Sequence, residues 1–187
     1  MKAINAYPDR FRGFGRVPLK MSLEETVQWI EEKVKGVGFL GLGEFTLTPG
    51  EASGLEVVFE ASAHLGSLPL WIHTFHPLGL EDIRVINDLS RRFPGVPVIL
   101  GHLGGTNWMQ AIYLARDNTE LYLDLSAAFT IFAPTMAIKE LPERTLFSSD
   151  APYGDPYLVK KMLERITPDK FVRERVLGDN IAELLNL

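Results

Sequence analysis

VPVILGHLGGTNW, residues 96–108, is the stretch whose reading decides the fold. A continuous apolar run through Val96, Val98, Ile99 and Leu100 stops abruptly at a histidine and a glycine-rich turn. Apolar on both faces, the run reads as a strand of a parallel sheet covered by helices. His102 stands at its carboxyl end. Ligands collect at that edge of α/β architectures, so an imidazole emerging there is placed where chemistry happens, although a core histidine satisfied by a backbone hydrogen bond leaves the same local pattern.

Outward from this strand, strands and helices alternate in both directions. Towards the N-terminus, the sequence predicts strands over Leu68–His73, Val37–Glu44 and Phe11–Leu19. Between them come helices over Leu80–Phe93, over about Ser53–Leu65 with Gly66 as stop, and after Ser22, whose capping box with Glu25 leads to Val27, Ile30, Val34 and a stop at Gly36. The four glycines of GVGFLGLGE, from Gly36, suggest tight packing or close backbone approach. Towards the C-terminus, Thr106 or Asn107 can cap a helix to about Ala115, and Glu120–Ser126 and Thr145–Asp150 read as strands around a short helix over Ala133–Glu140. Asp155 with Pro156, Thr167 with Pro168, and Asp179 start the closing helices. Six strands alternating with helices predict a parallel sheet or barrel with right-handed crossovers.

Polar residues then line up at one edge. Glu44, His73, His102 and Asp150 end the second, third, fourth and sixth strands. Buried Glu, Asp and His each need a partner, so this repetition points to a shared site. In the fifth strand Leu121, Leu123 and Leu125 alternate with Tyr122, Asp124 and Ser126, which sends the leucines to the helices and Asp124 and Ser126 to the interior.

Several segments together resemble the amidohydrolase superfamily of metal-dependent TIM-barrel enzymes, in its amidohydrolase 2 branch. PDRFRGFGRVPL is similar to the third strand segment of that branch, LPLWIHT to its fifth, VPVILGHLGG to its sixth, ELYLDLS to its seventh, TLFSSDAPYGD to its eighth and GDNIAELLNL to its closing helix. GEF, from Gly43 to Phe45, also resembles the fourth strand of TatD-like metallohydrolases. The resemblance implies a single (β/α)-barrel domain over residues 1–187. It further implies His73 and His102 as metal-liganding or substrate-orienting imidazoles, the divalent metal being expected to be zinc, with Glu44 as a further ligand beside them. Asp150 would bind the metal and take the proton of the attacking water. His76, Trp108 and Tyr153 are the expected substrate contacts. A divalent ion on imidazole and carboxylate donors lowers the pKa of bound water and polarises a scissile carbonyl, and such donors also suit non-haem iron.

One departure qualifies this expectation. The family's first strand ends in His-x-His, and the sequence contains none. A barrel of eight units takes about 250 residues, against 187 here, so the expected fold is an α/β TIM-barrel-like sheet with about six of eight units, incomplete at the N-terminus. The functional expectation is a metal-dependent hydrolase acting on a small molecule, with a weak or inactive barrel, a decarboxylase or a TatD-like nuclease as alternatives.

Composition narrows the field. Nineteen basic and 24 acidic residues are mixed along the chain with a net charge of −5 and no basic run, which argues against nucleic acid or membrane partners. Without cysteine, thiolate metal sites and disulfides are excluded, and a cytoplasmic setting is expected. His64, in a last helical turn before Gly66, reads as a surface residue. Open sheet edges left by the absent units predict a homo-oligomer, with apolar residues such as Leu146 uncovered at the gap.

Overall fold

Alternating apolar residues bring the strands together in sequence order. The computed structural model describes residues 2–128 and 130–187. Strands β1 (Phe14–Gly15), β2 (Gly41–Phe45), β3 (Leu70–His73), β4 (Val98–Gly101), β5 (Leu121–Asp124) and β6 (Thr145–Leu146) form one sheet in the order β1-β2-β3-β4-β5-β6. Every neighbouring pair is parallel. This is the order of strands around the wall of a (β/α) barrel, here with six of them, as expected.

The connecting helices are α2 (Leu23–Lys33), α3 (Glu56–His64), α4 (Leu80–Arg92), α5 (Trp108–Asp117) and α6 (Phe132–Glu140), preceded by a short α1 (Lys2–Ala6) that the sequence pattern does not announce. α7 (Pro156–Ile166), α8 (Lys170–Glu174) and α9 (Asn180–Leu185) follow the sheet. The α2 capping box forms in full: Glu25 N–H donates to Ser22 Oγ at 3.3 Å and Ser22 N–H to Glu25 Oε2 at 2.8 Å. Leu42, Leu70, Ile72, Val98, Leu100, Leu121, Leu123 and Leu125 join Ile30, Phe59, Ile83 and Ile86 in the apolar core beneath the helices. The intervening residues turn to the other face of the sheet, where Phe14 and Trp71 meet edge to face at 5.5 Å. Gly41 makes room for them, since a Cβ there would lie 2.2 Å from the Phe14 ring.

Several boundaries move, each for a local reason. β1 keeps two residues of the predicted nine because Phe11 and Pro18 lie in exposed chain around it. β6 ends at Leu146, after which Phe147 N–H donates to Val176 O and leaves the ladder. Helix α2 continues into a 3₁₀ turn over Lys35–Val37, and the left-handed stop is Gly38 (φ 77°), two residues past Gly36. Asp169 replaces Thr167 as the cap of α8, because its Oδ1 accepts from both Phe171 and Val172 N–H. Asn107 stands at the α5 cap position without a side-chain capping bond. Leu146 is buried by its own chain rather than uncovered at an edge. Among the described residues, no helix is long and apolar enough to cross a membrane.

Candidate metal centre

Local structure aims three donors at one point. The alternation that buries Leu70 and Ile72 turns His73, the last residue of β3, to the opposite face. Glu44 is the penultimate residue of β2 rather than its end, at a register shift between Gly43 and Phe45. Gly43 has φ 135°, and a Cβ there would stand 2.4 Å from the Trp71 carbonyl oxygen. Only glycine allows β2 so close to β3 just ahead of Glu44.

His102 lies one residue beyond β4, in a left-handed turn. His102, Leu103, Gly104 and Gly105 have φ of 63°, 54°, 77° and 57°. For a residue with a Cβ this conformation is unfavourable by about 1–2 kcal/mol, so something must hold it. His102 N–H donates to Asp124 Oδ1 at 3.0 Å and Gly104 N–H to Thr74 Oγ1 at 3.0 Å, while Thr74 Oγ1 donates to Gly101 O at 2.5 Å. The turn returns the imidazole to the face that carries His73.

The resulting triangle is small. His102 Nε2 lies 2.9 Å from His73 Nδ1 and 3.3 Å from Glu44 Oε1, and His73 Nδ1 lies 3.1 Å from Glu44 Oε1. Two donors each about 2.1 Å from one cation, at angles between octahedral and tetrahedral, stand roughly 3.0–3.4 Å apart. The observed spacings fit a divalent ion bound on one triangular face, with its remaining positions open. His73 Nε2 is 3.3 Å from the His76 carbonyl, so a proton there leaves Nδ1 bare towards the triangle.

Charge at the triangle is mutually supported. Burial opposes protonation of His102, but the hydrogen bond to Glu44 and the charges of Asp124, Glu44 and Asp150 outweigh it and hold its pKa above the ordinary value. The hydrogen bond from His102 keeps the Glu44 carboxyl below the ordinary range despite partial burial. Asp124 is the reverse case: complete burial pushes its pKa up against the hydrogen bonds from Ser126 and His102.

Asp150 lies outside the three-donor cluster but lines the same cleft, of about 420 Å³, as His73 and His102. It has φ 57°, and its carbonyl accepts from Tyr153 N–H at 2.8 Å and Gly154 N–H at 3.0 Å. Tyr153 stands at the cleft mouth, 91% exposed. Trp108 lines an adjoining lobe of about 290 Å³ that shares His102, Phe75, Ala127 and Ala128 with the main cleft. The His76 side chain is exposed and its backbone carbonyl, not its ring, meets His73. His64 is exposed in the last turn of α3.

Three residues at this centre fall outside the expected ligand set. Ser126 Oγ is 2.8 Å from His102 Nδ1 and donates to Asp124 Oδ1. The polar alternation of β5 signals both Asp124 and Ser126, whereas Thr74 carries no periodic signal because its role is to pin a neighbouring loop.

A family model described as Amidohydrolase, of the amidohydrolase 2 type, matches residues 1–187. A search of curated proteins finds no significant match. Among solved structures, an uncharacterised TIM-barrel protein from Bordetella bronchiseptica superposes with a TM-score of 0.81 at 18% identity, covering 99% of this chain and 70% of that one. The 5-carboxyvanillate decarboxylase of Sphingomonas paucimobilis gives 0.77 at 20%, covering 100% and 70%. A dihydroxybenzoic acid decarboxylase from Polaromonas sp. JS666, solved with bound manganese and the inhibitor 2-nitroresorcinol, gives 0.75 at 20%, covering 100% and 72%. These likenesses establish the barrel fold.

Proposed function

Because the chain belongs to the amidohydrolase family over residues 1–187, we propose that it is a metal-dependent enzyme that decarboxylates a small aromatic carboxylic acid. The observation that carries the reading is the donor triangle of Glu44, His73 and His102, with sides of 2.9, 3.1 and 3.3 Å. Manganese in one structural neighbour and aromatic acids in the names of two of them support it further.

A divalent cation held there supplies positive charge against a substrate carboxylate and lowers the pKa of a water that it binds. Phe75, Ala127, Ala128, Leu158 and Val159 give the cleft walls that suit a flat ring. Trp108 and Tyr153 are the proposed ring contacts at its lobe and mouth. Asp150 is the proposed acid. As the bond from ring carbon to carboxylate breaks, its electron pair stays on the ring carbon, Asp150 delivers a proton there, and CO₂ leaves. A second reading, hydrolysis, is favoured by the same Asp150, which as a carboxylate accepts a proton from water attacking a carbonyl. The cation is zinc or manganese, since two imidazoles and one carboxylate accommodate either. We further propose a cytoplasmic homo-oligomer without nucleic acid or membrane partners.

The test is to strip the protein with chelator, reload it with Mn(II) or Zn(II), and offer hydroxybenzoates beside aryl amides and esters. Release of CO₂ supports decarboxylation and release of an amine or alcohol supports hydrolysis. Stoichiometric metal retention with neither activity would overturn the catalytic reading.

A further inference from the structure

Behind the donor triangle lies a hydrogen-bonded chain that its description as a ligand set does not use. Asp124 is fully buried on β5 and Ser126 is 2% exposed two residues later. Asp124 Oδ1 accepts from His102 N–H at 3.0 Å, from Ser126 N–H at 2.8 Å, and from the Ser126 hydroxyl. Ser126 Oγ in turn lies 2.8 Å from His102 Nδ1.

The direction of this chain follows from counting protons. A serine hydroxyl has one proton and must accept wherever it does not donate. Asp124 Oδ1 already receives two backbone N–H groups, so a proton on that oxygen would collide with its donors. If Asp124 is protonated, the proton sits on Oδ2, which has no hydrogen-bond partner among the described residues, and Oδ1 still accepts from Ser126. In either charge state the Ser126 proton points to Asp124. Its lone pairs therefore face His102 Nδ1, which must carry the ring proton. The opposite tautomer would set the Ser126 and Asp124 oxygens lone pair against lone pair in a place from which water is excluded.

We propose that Ser126 and Asp124 are positioning residues: the Ser126 hydroxyl, accepting from His102 Nδ1–H and donating to Asp124, holds a proton on Nδ1, so that in the neutral ring it is Nε2, bonded to Glu44 only in the imidazolium, that stands bare towards His73 and Glu44. The second bond between these residues, from His102 N–H to Asp124, fixes the left-handed backbone from which the ring projects, so one buried carboxyl controls both the ring's origin and its tautomer. The consequence for metal affinity rests on the function proposed above; the tautomer itself does not.

The experiment is a long-range ¹H–¹⁵N correlation on metal-free protein labelled with ¹⁵N-histidine, recorded at a pH where the ring is neutral. Four histidines give four patterns, and His102→Gln assigns the one of interest. The native ring is expected as Nδ1–H. In Ser126→Ala the ratio of Nδ1–H to Nε2–H should fall about 5- to 30-fold, the equivalent of one buried hydrogen bond, and Ser126→Thr, which keeps the hydroxyl, should restore it. A structural role alone would leave the tautomer unmoved. A native Nε2–H ring, or a ratio unchanged in Ser126→Ala, overturns the proposal; if the alanine variant does not fold, the native spectrum decides alone. Mn(II) titration separates the two readings. Affinity should drop about 10- to 100-fold in Ser126→Ala. If instead Glu44→Gln and His73→Gln leave Mn(II) affinity untouched, the metal reading fails while the spectrum still judges the tautomer.

Discussion

At the scale of single residues, the proposed function gives Glu44 and Asp150 different tasks. Glu44 sits among imidazole nitrogens 3.1 and 3.3 Å away, and its pKa is held low by the hydrogen bond from His102. Glu44→Gln removes the only anionic donor of the triangle and should weaken Mn(II) binding by more than the roughly 10- to 100-fold typical of losing an outer partner, as read by calorimetry. Asp150→Asn tests the proton-transfer role. Since Asp150 stands outside the three-donor cluster, metal affinity should persist while kcat falls by about 10²- to 10⁴-fold. A parallel loss of metal would make Asp150 a fourth ligand instead.

At the scale of elements, the turn after β4 (Val98–Gly101) governs the site more than the strand does. Thr74, fully buried just past β3 (Leu70–His73), ties that turn down by donating to Gly101 O and accepting from Gly104 N–H. Thr74→Val keeps the volume but leaves Gly104 N–H without its acceptor, while Gly101 O keeps only the Thr74 N–H at 3.2 Å. Stability should drop by about 1–3 kcal/mol, measured as a lower urea midpoint with an unchanged slope. The damage should extend to the site, because His102 is the first residue of the turn. A variant as stable as the native protein would show that the hydroxyl is dispensable.

At the scale of the whole molecule, β1 and β6 each have one paired side and one open side among the described residues. Open edges and uncovered apolar surface favour self-association. Leu146 does not contribute, being buried. One group of exposed apolar residues lies on α5 and α6, where Met109, Tyr113 and Met136 line a groove with Phe132, which is 70% exposed. Light scattering at micromolar concentration is expected to give about twice the chain mass, most simply as a two-fold dimer. A particle of single-chain mass would overturn this expectation.

Periodicity along the chain by itself determined the α/β class, the six strands in parallel, the α2 capping box and the convergence of His73 and His102 on one edge. These depend on contacts between residues close in sequence, or on which face of a strand is apolar, and both leave a period. The segments resembling the amidohydrolase family pointed correctly to its membership. Only the tertiary structure decided the rest. The left-handed turn at His102 depends on Asp124 and Thr74, 22 and 28 positions away, and no local pattern encodes a hydrogen bond across that distance. Likewise, whether Glu44 or Asp150 completes the donor cluster is set by how β2 packs against β3 at Gly43. That is a matter of tenths of an ångström between strands, and a sequence records such packing only as the glycine that permits it.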